Sequence, residues 1–132
     1  MNQESQSSAQ ENVDLASLLR SESISVEEVQ LEIDQWIRTI GVRYFDHLTN
    51  LAQLMEEVGE VSRILSRRHG EQSSKPGEEP GDLADELADV LFVTVCLANQ
   101  SGIDLTAAIR RNLEKKTKRD KHRHQQNEKL NR

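Results

Sequence analysis

Apolar residues recur at intervals of three and four in four stretches of this chain, separated by glycine, proline or polar runs. That period marks helices with one buried face. Ser25-Val26-Glu27-Glu28 is a capping box of the form S-x-x-E, predicting a first helix through about Thr39. Val26, Val29, Leu31, Ile33, Trp36, Ile37 and Ile40 are its apolar positions, and Gly41 ends it. A second helix is predicted from Asp46 or Leu48 to His69, with Gly70 as its C-terminal cap. Leu51, Leu54, Met55, Val58, Val61 and Leu65 make its stripe. Glu71 to Gly81 holds both prolines and reads as a loop. The third helix spans about Asp82 to Gln100 and is apolar almost all round from Leu87 to Ala98. Gly102 stops it, and Asp104 is placed to cap a fourth helix running to about Lys118.

Four helices with short connections predict an all-α fold, a four-helix bundle. A helix that is apolar on most sides must be covered by its own bundle or by another subunit. A homodimer or homotetramer is therefore expected. Residues 1–22, rich in Ser, Gln, Glu and Asn, read as a flexible leader in which Val13, Leu15, Leu18 and Leu19 suggest a brief helical turn. The helical domain then occupies 23–120 and a basic polar tail 121–132.

Composition supports the helical reading and narrows the function. Of 132 residues 30% are charged and only 3% aromatic, and the 35% hydrophobic content suits one small domain. The net charge of −6 is unevenly spread: Arg110 to Arg132 holds ten Lys/Arg against three acids, so residues before it carry −13. An acidic body of that size argues against nucleic acid as a partner. The longest apolar run, around Val90 to Ala98, is far short of the ~20 residues that span a bilayer, so no membrane partner is expected. The first residues lack the basic start and apolar stretch of a signal peptide, which makes a cytoplasmic location the expectation. Cys96 is the one cysteine; within that apolar run it reads as a core thiol.

The candidate chemistry lies in two carboxylate clusters, Glu56-Glu57-x-x-Glu60 and, after 25 residues, Glu86-x-x-Asp89. Spacing of i, i+3 puts two carboxylates on one helix face. Two such helices side by side would converge Glu57, Glu60, Glu86 and Asp89, and charges so close repel unless a cation lies between them. Oxygen-only donors suit magnesium, with manganese as a substitute, and magnesium keeps positions open for substrate phosphates. Glu86 also falls within the stripe of Leu83, Val90, Val93 and Leu97, an expensive place for a carboxylate without a function. Asp82 and Asp85 read as first-turn acids favoured by the helix dipole, and His122 and His124 as solvated tail residues.

These clusters, with the flanking Leu54-Met55-Glu56-Glu57-Val58-Gly59-Glu60 and Glu86-Leu87-Ala88-Asp89-Val90-Leu91-Phe92, resemble the MazG-like nucleoside triphosphate pyrophosphohydrolases. The likeness continues into Leu113-Glu114-Lys115-Lys116-Thr117-Lys118-Arg119, covers roughly residues 26–120, and is to the small single-domain bacterial members. That family belongs to the all-α NTP pyrophosphatases. The resemblance implies magnesium-dependent cleavage of (deoxy)nucleoside triphosphates to the monophosphate and pyrophosphate, a nucleotide-pool housecleaning reaction. It implies Glu57, Glu60, Glu86 and Asp89 as metal ligands, and Glu56 with Glu57 as catalytic groups acting on the attacking water. Lys115 and Arg119 would bind phosphate oxygens, with Lys116 beside them where many members carry Asn. For the base and sugar, Trp36, Phe45 or Tyr44 are candidates for stacking, and His47, Asn50, Asn99 and Asn112 for polar contacts.

Two other classes fit parts of the pattern. A helical adaptor accounts for the bundle and leaves the inward Glu86 unexplained. A basic-tailed regulator binding nucleic acid accounts for the last 23 residues and conflicts with the acidic body.

Overall fold

The computed structural model describes residues 23–131, which form four α-helices and, among these residues, no strand. They are α1 (Val26–Thr39), α2 (His47–His69), α3 (Leu83–Gln100) and α4 (Leu105–Asp120). The expected leader helix turn at Val13 to Leu19 lies outside the described residues.

Every helix start is capped by its own sequence. Ser25 Oγ accepts from Glu28 N at 3.1 Å, while Ser25 N donates to Glu28 Oε2 at 2.6 Å, closing the capping box. Asp46, Asp82 and Asp104 accept from Thr49 N, Ala84 N and Ala107 N at the other three starts. Gly70 ends α2 in an extended conformation, and its N–H donates to Ser66 O at 2.9 Å. A Cβ there would stand 2.5 Å from that same carbonyl, so glycine is required by close approach. Gly102 follows α3 with φ +66°, the left-handed conformation glycine adopts without strain. The fourth helix continues to Asp120, two residues past the expected end, and 121–130 folds into successive turns.

The principal packing is α2 against α3; α1 lies on α3, and α4 leans on α1. Ile37, Ile64, Val93, Val95, Cys96 and Ala98 are the buried apolar residues among those described. Burial pushes the Cys96 thiol up to about 11, consistent with a core residue. The core is smaller than the periodicity suggests. On α3 only the C-terminal half is withdrawn from solvent, and Leu87 and Leu91 are exposed. On α2, Leu48 is 78% exposed and Met55 68%, with Leu51 and Val58 on the same stripe also open. The chain alone thus does not enclose α3, and Glu86 is half-buried at an open end of the helix, not sunk in a packed face. No single described helix is long and apolar enough to cross a membrane.

Polar contacts fix the turns that flank the core. Gln30 Nε2 donates to Asn99 Oδ1 (3.0 Å) and Ile103 O (2.8 Å), and Gln30 Oε1 accepts from Leu105 N (2.9 Å), tying α1 to the α3–α4 turn. Asn99 Nδ2 returns the bond to Gln30 O and also reaches Tyr44 Oη at 3.1 Å. Tyr44 in turn donates to Asp34 Oδ1 at 2.6 Å. Burial, and then that bond, pushes the phenol up to about 12, so it stays protonated as the donor. The α1–α2 connection held this way contains a γ-turn centred on Val42, with φ +71° and an Arg43 N to Gly41 O bond of 2.9 Å. The α2–α3 loop is pinned by Glu78, which accepts from Arg63 Nη1 (3.2 Å) and Lys75 N (3.0 Å), with Arg67 Nη2 at 3.5 Å.

Candidate metal centre and adjoining cavity

Helix α2 carries Glu56, Glu57 and Glu60, and α3 carries Glu86 and Asp89 near its start. Packing of the two helices brings carboxylate oxygens of Glu57, Glu86 and Asp89 within 4.8 Å of one another. Glu57 and Glu86 are half-buried and Asp89 is exposed. The Glu57 carboxyl is raised above its ordinary range by desolvation first, then by the charges of Asp89, Glu86, Glu56 and Glu60. Glu86 is raised by desolvation, then by Glu60, Asp89 and Asp85, and relieved in part by Arg63. Mutual repulsion among oxygen donors from two helices is the condition a hard divalent cation relieves, and the donor set fits one.

Glu60 stands beside this trio and is occupied differently: its Oε2 accepts from Arg63 Nε at 2.9 Å. It remains within electrostatic range of Glu86. Glu56 is exposed and accepts from Gln53 Nε2 at 3.3 Å.

A cavity of about 340 Å³ opens onto the carboxylates and includes Glu57 and Asp89 in its wall. Its sides are aromatic. Trp36 meets Phe92 edge to face, with ring centroids 5.5 Å apart at 88°, and Tyr44 and Phe45 also line it. Asn50 and Gln53 contribute polar groups. Candidates Trp36, Tyr44, Phe45 and Asn50 thus come together here. His47 is exposed at the start of α2 and Asn112 on α4, both outside the cavity wall, and Asn99 is committed to Gln30 and Tyr44. Phe92 and Gln53 were not singled out by the sequence, although a signal exists. Asn50, Gln53 and Glu57 follow i, i+3, i+7 on α2, and Phe92 lies three residues past Asp89.

The basic candidates are elsewhere. Lys115, Lys116 and Arg119 are exposed on α4, and Arg119 pairs with Asp120 at 2.6 Å. Lys115 and Arg119 line a shallow groove that shares no residue with the aromatic cavity.

Comparison with known proteins agrees with this arrangement. The family model of the MazG nucleotide pyrophosphohydrolase domain matches residues 45–124, a stretch holding both carboxylate clusters and α4. The uncharacterized protein YpjD of Bacillus subtilis (strain 168) is 39% identical over 99 residues, spanning 75% of this chain and 89% of that protein. The crystal structure of YPJD from Bacillus subtilis superposes with a TM-score of 0.64 at 36% identity, covering 72% of this chain and 95% of the other. The crystal structure of the Bacillus-conserved MazG protein, a nucleotide pyrophosphohydrolase, gives 0.60 at 33% identity, covering 72% and 91%. With its four helices, paired acidic clusters and matched domain, the chain belongs to the MazG nucleotide pyrophosphohydrolase family.

Proposed function

We propose that this pyrophosphohydrolase cleaves (deoxy)nucleoside triphosphates between the α- and β-phosphates, with magnesium held by Glu57, Glu86 and Asp89 and completed by Glu60. The observation that carries the reading is the aromatic cavity ending on Glu57 and Asp89, two members of the carboxylate trio. A base seated between aromatic side chains would leave its phosphates beside Glu57 and Asp89. Magnesium bound there supplies charge neutralisation of the triphosphate and acidifies a ligating water. Glu56, exposed next to Glu57, is assigned the proton of the attacking water. Water oxygen bonds to the α-phosphorus, the bond from that phosphorus to the bridging oxygen breaks, and pyrophosphate leaves with the electron pair.

The phosphate-binding cations come from a second copy of the chain in this reading. Lys115, Lys116 and Arg119 are exposed on a helix that leans on α1 and away from the principal α2–α3 packing. Leu48, Leu51, Met55 and Val58 offer an uncovered apolar stripe on α2, and Leu87 and Leu91 one on α3. A homodimer or homotetramer would bury these stripes and complete the site.

The test is pyrophosphate release from a panel of canonical and modified nucleoside triphosphates, with and without magnesium, for wild type and Glu57→Gln. Metal-dependent release of monophosphate and pyrophosphate by wild type alone is expected. Absence of release across the panel would overturn the reading.

A further inference from the structure

Among the polar residues of the aromatic cavity, which include Arg43 and Gln53, Asn50 is the buried one. Asn50 is 5% exposed and lines the cavity on the same face of α2 as Glu57. Its amide nitrogen is fully committed, donating to Gln100 Oε1 at 2.8 Å and, at 3.4 Å, to the Phe45 carbonyl. Gln100 Nε2 donates to that same carbonyl at 2.9 Å. A backbone carbonyl only accepts, so it orients both amides and neither can flip without facing acceptor to acceptor. Asn50 Oδ1 is then the one hydrogen-bonding atom of this side chain left over, and it accepts nothing from the described residues.

Asn50 and Glu57 are seven residues apart, about 10 Å along the helix at 1.5 Å per residue. That is the reach of a nucleoside from its α-phosphate to the base edge farthest from the sugar. At that edge cytosine and adenine carry an exocyclic amine, while uracil, thymine and guanine carry a keto oxygen. We infer that Asn50, locked by Gln100 and the Phe45 carbonyl into presenting only an acceptor, selects nucleotides whose distal base edge bears an amine and rejects their keto counterparts. The inference rests on the pyrophosphohydrolase reading of the adjoining site. A keto oxygen in the amine's place would meet Oδ1 as acceptor against acceptor, beside a mostly apolar wall.

The experiment separates base reading from chemistry. Calorimetric binding of non-hydrolysable α,β-methylene analogues of dCTP, dUTP, ATP and ITP is measured with magnesium, and pyrophosphate release from the natural triphosphates is measured in parallel. Wild type should bind the amine member of at least one pair about tenfold to a hundredfold more tightly than its keto partner. The cytosine–uracil and adenine–hypoxanthine arms show which ring the cavity takes. Asn50→Leu, checked for its helical signal and melting, should bring the ratio towards one, and Gln100→Met should lower it partly by freeing the amide to turn. Equal binding, keto preference or no binding by wild type overturns the inference, and turnover of either pair member would leave the hydrolase reading standing. A preserved amine preference with no pyrophosphate from any substrate overturns the hydrolase reading alone.

Discussion

Helices α2 and α3 hold their carboxylates by packing on each other, with Ile64 on one and Val93, Val95, Cys96 and Ala98 on the other withdrawn from solvent. Helix α4 buries none of its sixteen residues and packs chiefly on α1. The acidic half of the site is therefore built by one chain, because like charges can be held together only on a framework that supplies compensating burial. The proposed basic half needs no such framework: Lys115 is exposed to solvent, and Arg119 is exposed and paired with its neighbour Asp120.

The largest break in that comparison comes from the acidic half. Glu57→Gln should lower pyrophosphate release about a hundredfold or more, as losing a group that stabilises transition-state charge does. It should also abolish magnesium stabilisation, which for wild type reaches about 2.7 kcal/mol at a hundred times the dissociation constant. With chelator present the order reverses. The wild-type Glu57 carboxyl is raised in the fold, so the folded state binds more protons and wild-type stability falls as pH rises through the raised range. Gln does not titrate, so the variant should melt higher than wild type, by a margin that grows with pH. Melting curves at several pH values, with chelator and with magnesium, check both signs.

Core truncation separates the regions next. Ile64, 2% exposed, should cost about 2–5 kcal/mol as Ile64→Ala, while Leu113→Ala on α4 should stay within about 0.5 kcal/mol in a dilute monomer. Denaturant unfolding across protein concentrations sharpens this: a cost at Leu113 that grows with concentration would show α4 covered by a second copy. Smaller again is Lys115→Ala, expected to raise KM about tenfold, the worth of one charge-assisted contact, with magnesium stabilisation unchanged. Loss of magnesium stabilisation instead would place Lys115 at the metal and not at the phosphates.

These regions also differ in how far the sequence disclosed them. All four helices and the Ser25 capping box were legible because each is specified within a few residues. The convergence of Glu57, Glu86 and Asp89 followed from i, i+3 spacing on two adjacent helices. What covers Leu87 and Leu91 was not legible, since an apolar helix face records that a partner is needed and not which one. The pairing of Glu60 with Arg63 was within reach as an i, i+3 pair, yet the spacing alone cannot rank it against a cation. The separation of Lys115 and Arg119 from the carboxylates depends on where the Gly102 turn sends α4, a tertiary property.

The smallest expected effect lies in the connection between α1 and α2. Val42 is a β-branched residue at φ +71°, a conformation that costs such residues roughly 1–3 kcal/mol. Its side chain is exposed, so little packing offsets the strain. Val42→Gly removes the strain and adds roughly 0.5–1 kcal/mol of unfolded-state entropy to overcome, leaving a net gain of roughly 0–2.5 kcal/mol. The turn carries Tyr44 and Phe45 of the cavity wall and leads into α2, while the proposed metal ligands begin ten residues past that helix start, at Glu57. Val42→Gly should accordingly raise the melting temperature slightly, leave magnesium stabilisation alone and loosen nucleotide binding modestly. If nucleotide affinity is unchanged, the Asp34–Tyr44–Asn99 bonds hold the aromatic wall without help from the turn, and the strain at Val42 has no part in shaping the cavity.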